Sequence, residues 1–221
     1  MRTLTLEEAK SYYDRFGAKQ DNQSFYESPA LQTLVANGRF DKATSVFEFG
    51  CGTGRFAQEL LIKHLPSTAQ YRGVDISATM IQLVSARLAS FSSRATATLV
   101  SDGVVIPVDN NSIDRFVSSY VLDLLPNDSV EKILNEARRA LQPNGLLCLA
   151  GLTKGVTPIS RLTMRVWEWL FSKSPATVGG CRPTQLMEHI PADKWQMQYR
   201  TVVVAWGIPS EIVVATPIKT G

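Results

Sequence analysis

The feature that most constrains the fold is an alternation of short apolar, β-branched runs with segments long enough to be amphipathic helices. Five runs have strand length and composition: Ser45-Val-Phe-Glu-Phe49, Tyr71-Arg-Gly-Val74, Thr96-Ala-Thr-Leu-Val100, Asp114-Arg-Phe-Val-Ser-Ser119 and Leu146-Leu-Cys-Leu-Ala150. The spacing predicts helices from Arg55 to His64, from Ser77 to Ser90 with Ser77 as N-cap, and from Asp128 or Ser129 to Leu141. Pro143-Asn-Gly145 reads as the stop of the last one. Strands separated by helix-length segments need crossover connections, so this order implies a doubly wound α/β fold, a mostly parallel sheet with helices on both faces.

After Gly151 the pattern changes to a long apolar helix (Pro158 to Ser172), a Gly-Gly-Cys-Arg-Pro turn and two strand-like runs, Met197 to Ala205 and Glu211 to Ala215. Those two runs, joined by Trp206-Gly-Ile-Pro209, read as a terminal β-hairpin. A length of 221 residues suits one large domain. With 44% apolar and 19% charged residues the chain can bury a core and is too apolar for disorder. The net charge of +3 comes from scattered cations without a basic run, so no nucleic-acid partner is expected. No apolar run reaches the roughly 18 residues of a membrane span, and the N-terminus lacks a signal-peptide core, so a cytoplasmic location is expected. Three widely spaced cysteines and two distant histidines suggest neither a disulfide framework nor a metal centre nor a Ser-His-Asp triad.

The chemistry gathers at Glu48-Phe-Gly-Cys-Gly-Thr-Gly54, where the first strand runs into the first helix. Open α/β sheets bind ligands there, and glycines let a ligand approach the backbone. A dinucleotide-binding enzyme would use the same place, but its Gly-x-Gly-x-x-Gly turn needs a small residue where Arg55 stands. Glu48, just before the loop, would repel a pyrophosphate and suits a ligand carrying an ammonium and a sulfonium. Asp75, ending the second strand, is placed to accept from ribose hydroxyls, and Asp102, after the third, to accept from an adenine amino group. Each carboxylate also has a plain structural reading: Glu48 as a buried ion-pair member, Asp75 and Asp102 as turn or cap residues.

The glycine segment, Gly73-Val-Asp-Ile-Ser77 with Met80, Ser101-Asp-Gly103, Ser112 to Ser119 and Ala140-Leu-Gln-Pro-Asn-Gly-Leu-Leu147 resemble, in order, the motifs of class I S-adenosylmethionine-dependent methyltransferases. The resemblance covers roughly Tyr12 to Gly151. It implies a Rossmann-like sheet of seven strands with the last antiparallel, S-adenosylmethionine as cofactor and S-adenosylhomocysteine as product. It assigns Gly50, Cys51, Gly52 and Gly54 to the methionyl region, Asp75 to ribose, Ile76 and Met80 to the adenine faces and Asp102 to its amino group. Glu48, Thr53, Gly103 and Ser119 complete the expected cofactor set. On this reading, residues 1–40 are lid or cap helices, 41–151 the cofactor-binding core, 152–195 an acceptor-side helix and loop, and 196–221 the hairpin.

Methyl transfer from a sulfonium is an in-line displacement, so the protein must position, exclude water and, where needed, take one proton. Asp123 is the candidate base or amine-orienting group. Tyr12, Tyr13 and Phe16 are expected in a lid able to cover a sulfonium by cation-π attraction, with Tyr120, Trp167 and Arg182 on the acceptor side. On the long helix, Ile159, Leu162, Val166, Trp169 and Leu170 form one stripe and Met164, Trp167 and Phe171 an adjoining one; the second is expected to line an acceptor pocket or meet a membrane or partner. Tyr13-Asp-Arg-Phe16 is similar to the branch that methylates quinones and phosphatidylethanolamine. Ser119-Tyr-Val-Leu-Asp123 replaces the Asn-x-Thr-Asp type signature of quinone C-methyltransferases, which speaks against that reaction. The expectation is transfer to N, O or S of a small-molecule or lipid-like acceptor, by a monomer or homodimer. The alternatives are a non-catalytic cofactor-binding subunit and an NAD-dependent oxidoreductase, the latter disfavoured by Arg55 and by the lack of a Tyr-x-x-x-Lys pair.

Overall fold

Strand β1 (Ser45–Phe49) sends successive side chains to opposite faces, and both faces are covered. Val46 joins an apolar cluster with Leu34, Phe56, Val117, Cys148 and Val214. Phe47 joins another with Phe116, Ile133, Leu147 and Val213. Continuous burial on both sides is what the parallel part of a doubly wound sheet requires, and the computed structural model, which describes residues 3–101 and 103–219, has that form.

The other strands are β2 (Gln70–Asp75), β3 (Ala95–Leu99), β4 (Ile113–Ser119), β5 (Leu141–Leu152), β6 (Trp195–Ala205) and β7 (Ile208–Pro217). They form one seven-stranded sheet in the order β3-β2-β1-β4-β5-β7-β6. Pairing is parallel from β3 through β5, and β7 runs antiparallel to both β5 and β6. Helices α1 (Leu6–Phe16), α2 (Ser24–Asn37), α3 (Arg55–Glu59), α4 (Ala78–Arg87), α5 (Asn127–Ala140) and α6 (Pro158–Lys173) surround it. α5 buries Val130, Ile133, Leu134 and Ala137, spaced for one helical stripe. At roughly 1.5–3 kcal/mol per large aliphatic side chain, that stripe fixes the helix against the sheet.

Three local features differ from the sequence expectation. The segment from Arg55 to His64 is α-helical only to Glu59 and continues as a π-helical turn, Leu60–His64. β5 begins at Leu141, because Gln142 to Gly145 bulge out between the pairs Ile113 with Leu141 and Arg115 with Leu146. The hairpin turn is only two residues, Trp206 and Gly207, at φ 54 and 80, with Ile208 and Pro209 already in β7.

Candidate functional site

The strand order reverses between β1 and β4, which opens a crevice above their carboxyl ends. The glycine loop fills its floor. Its bend is pinned by the Gly50 and Cys51 N–H groups, both donating to the Val74 carbonyl at 2.9 and 3.0 Å. Gly50, Gly52 and Gly54 all have positive φ, at 75, 51 and 76. Gly54 also lets α3 approach α4: a Cβ there would lie 2.5 Å from Val84 Cγ2.

Asp75 locks the loop from the next strand. Its Oδ2 accepts from Gly52 N–H and its Oδ1 from Ser77 N–H, both at 2.9 Å. Burial lifts its carboxyl above the usual range, against those two bonds. Glu48 is buried, and Tyr71 donates its hydroxyl to Glu48 Oε2 at 2.5 Å. Desolvation pushes this carboxyl up to about 8, with nearby Asp75 adding to the effect. Glu27, on α2, is pushed by burial up to about 7 even though Arg55 donates to it at 2.8 Å.

A strap formed by α1 and the turn Gly17–Gln23 crosses the crevice. Thr5 and Glu8 cap α1 reciprocally. Asp14 holds the strap to the start of α4, its Oδ1 accepting from Ser77 Oγ at 2.6 Å and from Thr79 N–H at 3.3 Å. Asp21 holds it to the loop, accepting from Thr53 Oγ1 and Arg87, both at 2.6 Å. Between these fastenings Gln20 leans over the loop, and its Oε1 would lie 2.9 Å from a Cβ on Gly52. That oxygen is buried and has no hydrogen-bond partner among the described residues.

Under the strap lies a cavity of about 630 Å3, within the range of sites for ligands of drug size. Gly50, Gly52, Asp75, Ile76, Met80 and Gly103 line one part of it. Tyr13, Tyr120, Val121, Leu124 and Leu125 line the rest. A smaller polar pocket beside it is bounded by Glu48, Cys51, Thr53, Ser119 and Glu27, and shares Gln20, Gly50, Gly52 and Tyr120 with the cavity. Tyr120, at the junction, has φ 56, costly for a bulky residue, and donates its hydroxyl to Ser210 Oγ at 2.8 Å.

Most of the expected cofactor residues therefore come together. Gly54 does so only as a packing contact, and Asp102 lies outside the described residues. Thr53 spends its hydroxyl on Asp21 and Arg87. The acceptor-side expectations divide. Tyr13 and Tyr120 face the cavity, whereas Tyr12 borders an outer groove between α1 and the end of α6, with Phe16 stacked on it at 5.4 Å.

Asp123 does not line the cavity. Its carboxyl is buried and turned toward β5, where Oδ2 accepts from Leu152 N–H at 3.2 Å, and burial lifts it to about 7. Trp167 packs inward and donates to the Cys181 carbonyl at 2.9 Å. Arg182 serves the start of α5, donating to the Leu125 carbonyl at 2.6 Å and to the Asn127 side-chain Oδ1 at 2.9 Å. The stripes of α6 are also reversed: Met164 and Phe171 are in the core, while Ile159, Leu162, Val166 and Trp169 face out. Gln20 and the wall of Val121, Leu124 and Leu125 were missed. The apolar run Val121 to Leu125 ahead of Pro126 was the available signal for the wall, and nothing local marks Gln20. Among the described residues no His, Cys, Asp and Glu cluster could hold a metal, and no helix is long and apolar enough to cross a membrane.

Residues 46–145 match a family model described as a methyltransferase domain. The Drosophila melanogaster protein named tRNA N(3)-methylcytidine methyltransferase Mettl2 is 28% identical over 151 residues, covering 63% of this chain and 46% of that protein. A demethylmenaquinone methyltransferase of Staphylococcus aureus is 25% identical over 141 residues, covering 60% of this chain and 56% of the relative. The chain thus spans about half the length of these curated relatives. Among solved structures, N-methyltransferase NodS from Bradyrhizobium japonicum, in complex with S-adenosyl-l-homocysteine, superposes with a TM-score of 0.72 at 15% identity, over 96% of this chain and 99% of NodS. Residues 46–145 thus match a methyltransferase domain, and the ordered motifs and the seven-stranded sheet are similar to those of the class I methyltransferases.

Proposed function

We propose that the chain transfers a methyl group from S-adenosylmethionine to N, O or S of a small-molecule or lipid-like acceptor. The observation that carries this reading is a cavity that joins the glycine loop and Asp75 to an apolar wall. The polar pocket fits the methionyl end of the cofactor. It holds an orphaned acceptor, Gln20 Oε1, and two carboxyls lifted by burial, Glu48, which has no ion pair among the described residues, and Glu27, which Arg55 already pairs. Gly50, Cys51, Gly52, Thr53 and Ser119 would hold the rest of that end, and Glu48 its ammonium. Asp75 would take the ribose hydroxyls, and Ile76, Met80 and Gly103 would flank the adenine.

When bound, the cofactor supplies a methyl group already activated on a sulfonium, which leaves positioning and drying to the chain. The strap excludes water from above. Tyr13, Val121, Leu124 and Leu125 present an apolar surface to the acceptor, and burial raises the Tyr13 and Tyr120 hydroxyls, so neither is a ready base near neutral pH. This favours an acceptor that is nucleophilic without deprotonation, or one whose proton leaves to water. The match to Mettl2 supports a second reading, transfer to tRNA; the apolar wall supports the first.

Calorimetric titration with S-adenosylhomocysteine tests the cofactor assignment. Asp75→Ala removes two ligand hydrogen bonds to a charged group, at about 1.5–3 kcal/mol each, so affinity should fall at least about a hundredfold. Unchanged affinity would overturn the ribose assignment. Methyl-labelled cofactor offered with lipid, small-metabolite and tRNA fractions then identifies the acceptor. Label in tRNA alone would favour the second reading, and label in no fraction would point to a non-catalytic cofactor-binding subunit.

A further inference from the structure

The outward face of α6 is left uncovered by the described residues. Ile159 is 72% exposed, Leu162 64% and Trp169 59%, with Val166 between them. At 100° per residue these side chains lie opposite the buried Ser160, Met164 and Phe171. The β6-β7 turn extends the patch: a Cβ on Gly207 would sit 3.0 Å from Thr163 Oγ1 and 3.3 Å from Ile159 Cγ2, which places Trp206 beside the helix.

Trp206 is the more telling residue. It is 81% exposed and held at φ 54, in the first central position of a two-residue turn that favours Asn or Gly. A bulky side chain there strains the backbone and adds little packing in return, so the folding of the chain does not account for it. The charges around the patch are mostly positive. Arg161 and Arg165 flank the stripe, exposed and without an ion pair among the described residues, and Lys173 lies 5.9 Å over the Trp169 ring. Glu168 is the only acid of the helix, and it is half-buried on the flank.

We infer that α6 and the Trp206 turn dock the protein, lying flat, on an anionic lipid surface. The apolar crest would enter the headgroup boundary, with both tryptophans at the depth such rings prefer and the cations against lipid phosphates. A second copy of the chain would bring Arg161, Arg165 and Lys173 against like charges, and a nucleic acid would leave the crest in water.

The test is sedimentation of the full chain with phosphatidylcholine vesicles, with and without about one third phosphatidylglycerol. The expected result is strong binding to the anionic vesicles, a loss of at least about tenfold in partitioning for Leu162→Glu combined with Trp169→Glu, and weakening by salt that Arg161→Gln with Arg165→Gln abolishes. Trp206→Asn separates docking from folding: it should reduce vesicle binding and leave the melting temperature equal or higher. No binding of the wild type to either vesicle overturns the inference. So does a wild-type dimer that Leu162→Glu converts to monomer, or a marked drop in melting temperature with Trp206→Asn. S-adenosylhomocysteine titration of the same preparations is independent of docking, so failure of the cofactor reading and failure of this one are distinguishable.

Discussion

Glu48 couples ligand binding to pH in a way that can be worked out in advance. Its carboxyl, buried against Tyr71, stands at about 8, so near neutral pH it is mostly protonated. A ligand ammonium beside it requires the ionised form. At one unit below that value, forming the carboxylate costs about 1.4 kcal/mol, a tenfold loss of affinity relative to the ionised site. The logarithm of the association constant should therefore rise with pH, at a slope approaching one, up to about pH 8. Affinity turns down only at higher pH, where the ligand's own ammonium sheds its proton; its neighbour is a carboxylate, which holds it above the roughly 7.7–8.0 of a peptide N-terminus. Calorimetry with S-adenosylhomocysteine in buffers of different ionisation enthalpy should register release of about one proton per ligand at about pH 6.5. Glu48→Gln should flatten the rising limb and keep the falling one. Glu27→Gln should leave the rising limb largely in place, because Glu27 titrates lower and faces Arg55. Binding that is independent of pH below 8, without proton release, would refute the assignment of the ammonium to Glu48.

Two further predictions concern stability. Glu48, Glu27 and Asp123 keep protons in the native state that the unfolded chain releases near its ordinary carboxylate range of about 4. Between about pH 5 and 7 the native state thus binds more protons, and stability falls as pH rises through that window. Asp14 and Asp21, lowered by hydrogen bonds from Ser77 and from Arg87 and Thr53, act with the opposite sign, but only below about pH 4. The ligand-free protein should melt several degrees higher at about pH 5.5 than at about pH 8, and scanning calorimetry showing the reverse order would contradict the burial of these groups. Gly54→Ala combines a positive φ, worth about 1 kcal/mol, with overpacking against Val84 at about 1–3 kcal/mol. Denaturant titration should show a loss of roughly 2–4 kcal/mol, part of it recovered by adding Val84→Ala, which removes the Cγ2 contact at 2.5 Å.

The sheet was legible because its signal is repetitive. Val46 and Phe47 point to opposite, equally apolar faces of β1, strand-length runs of this kind recur along the chain, and crossover length dictates the parallel order. The glycine loop was legible because its backbone angles restrict residue choice in sequence itself. What resisted were facts of register and rotation. Tyr71 meets Glu48 because Phe47 and Arg72 pair across β1 and β2, a register no local pattern states. The period of α6 separates its two stripes and does not say which turns inward; the wrong one was assigned to the outside. Asp123 and Arg182 illustrate a third limit. Each polar type suits chemistry or backbone satisfaction, and only the direction of the side chain, toward Leu152 and Leu125, decides between them.

The two ways in which helices are fastened here have separate consequences. α5 is held by apolar burial, which salt tends to strengthen. α1 buries no residue, and its strap is held by Asp14 on the first turn of α4 and by the Asp21 pair with Arg87, which salt weakens. With no residue of α1 fully buried, opening of the strap costs far less than unfolding the sheet beneath it. Access to the cavity and global stability therefore answer to different conditions: added salt loosens the strap without softening the floor, and substitutions at Asp14 or Asp21 change how fast a ligand leaves more than how well the protein survives heat.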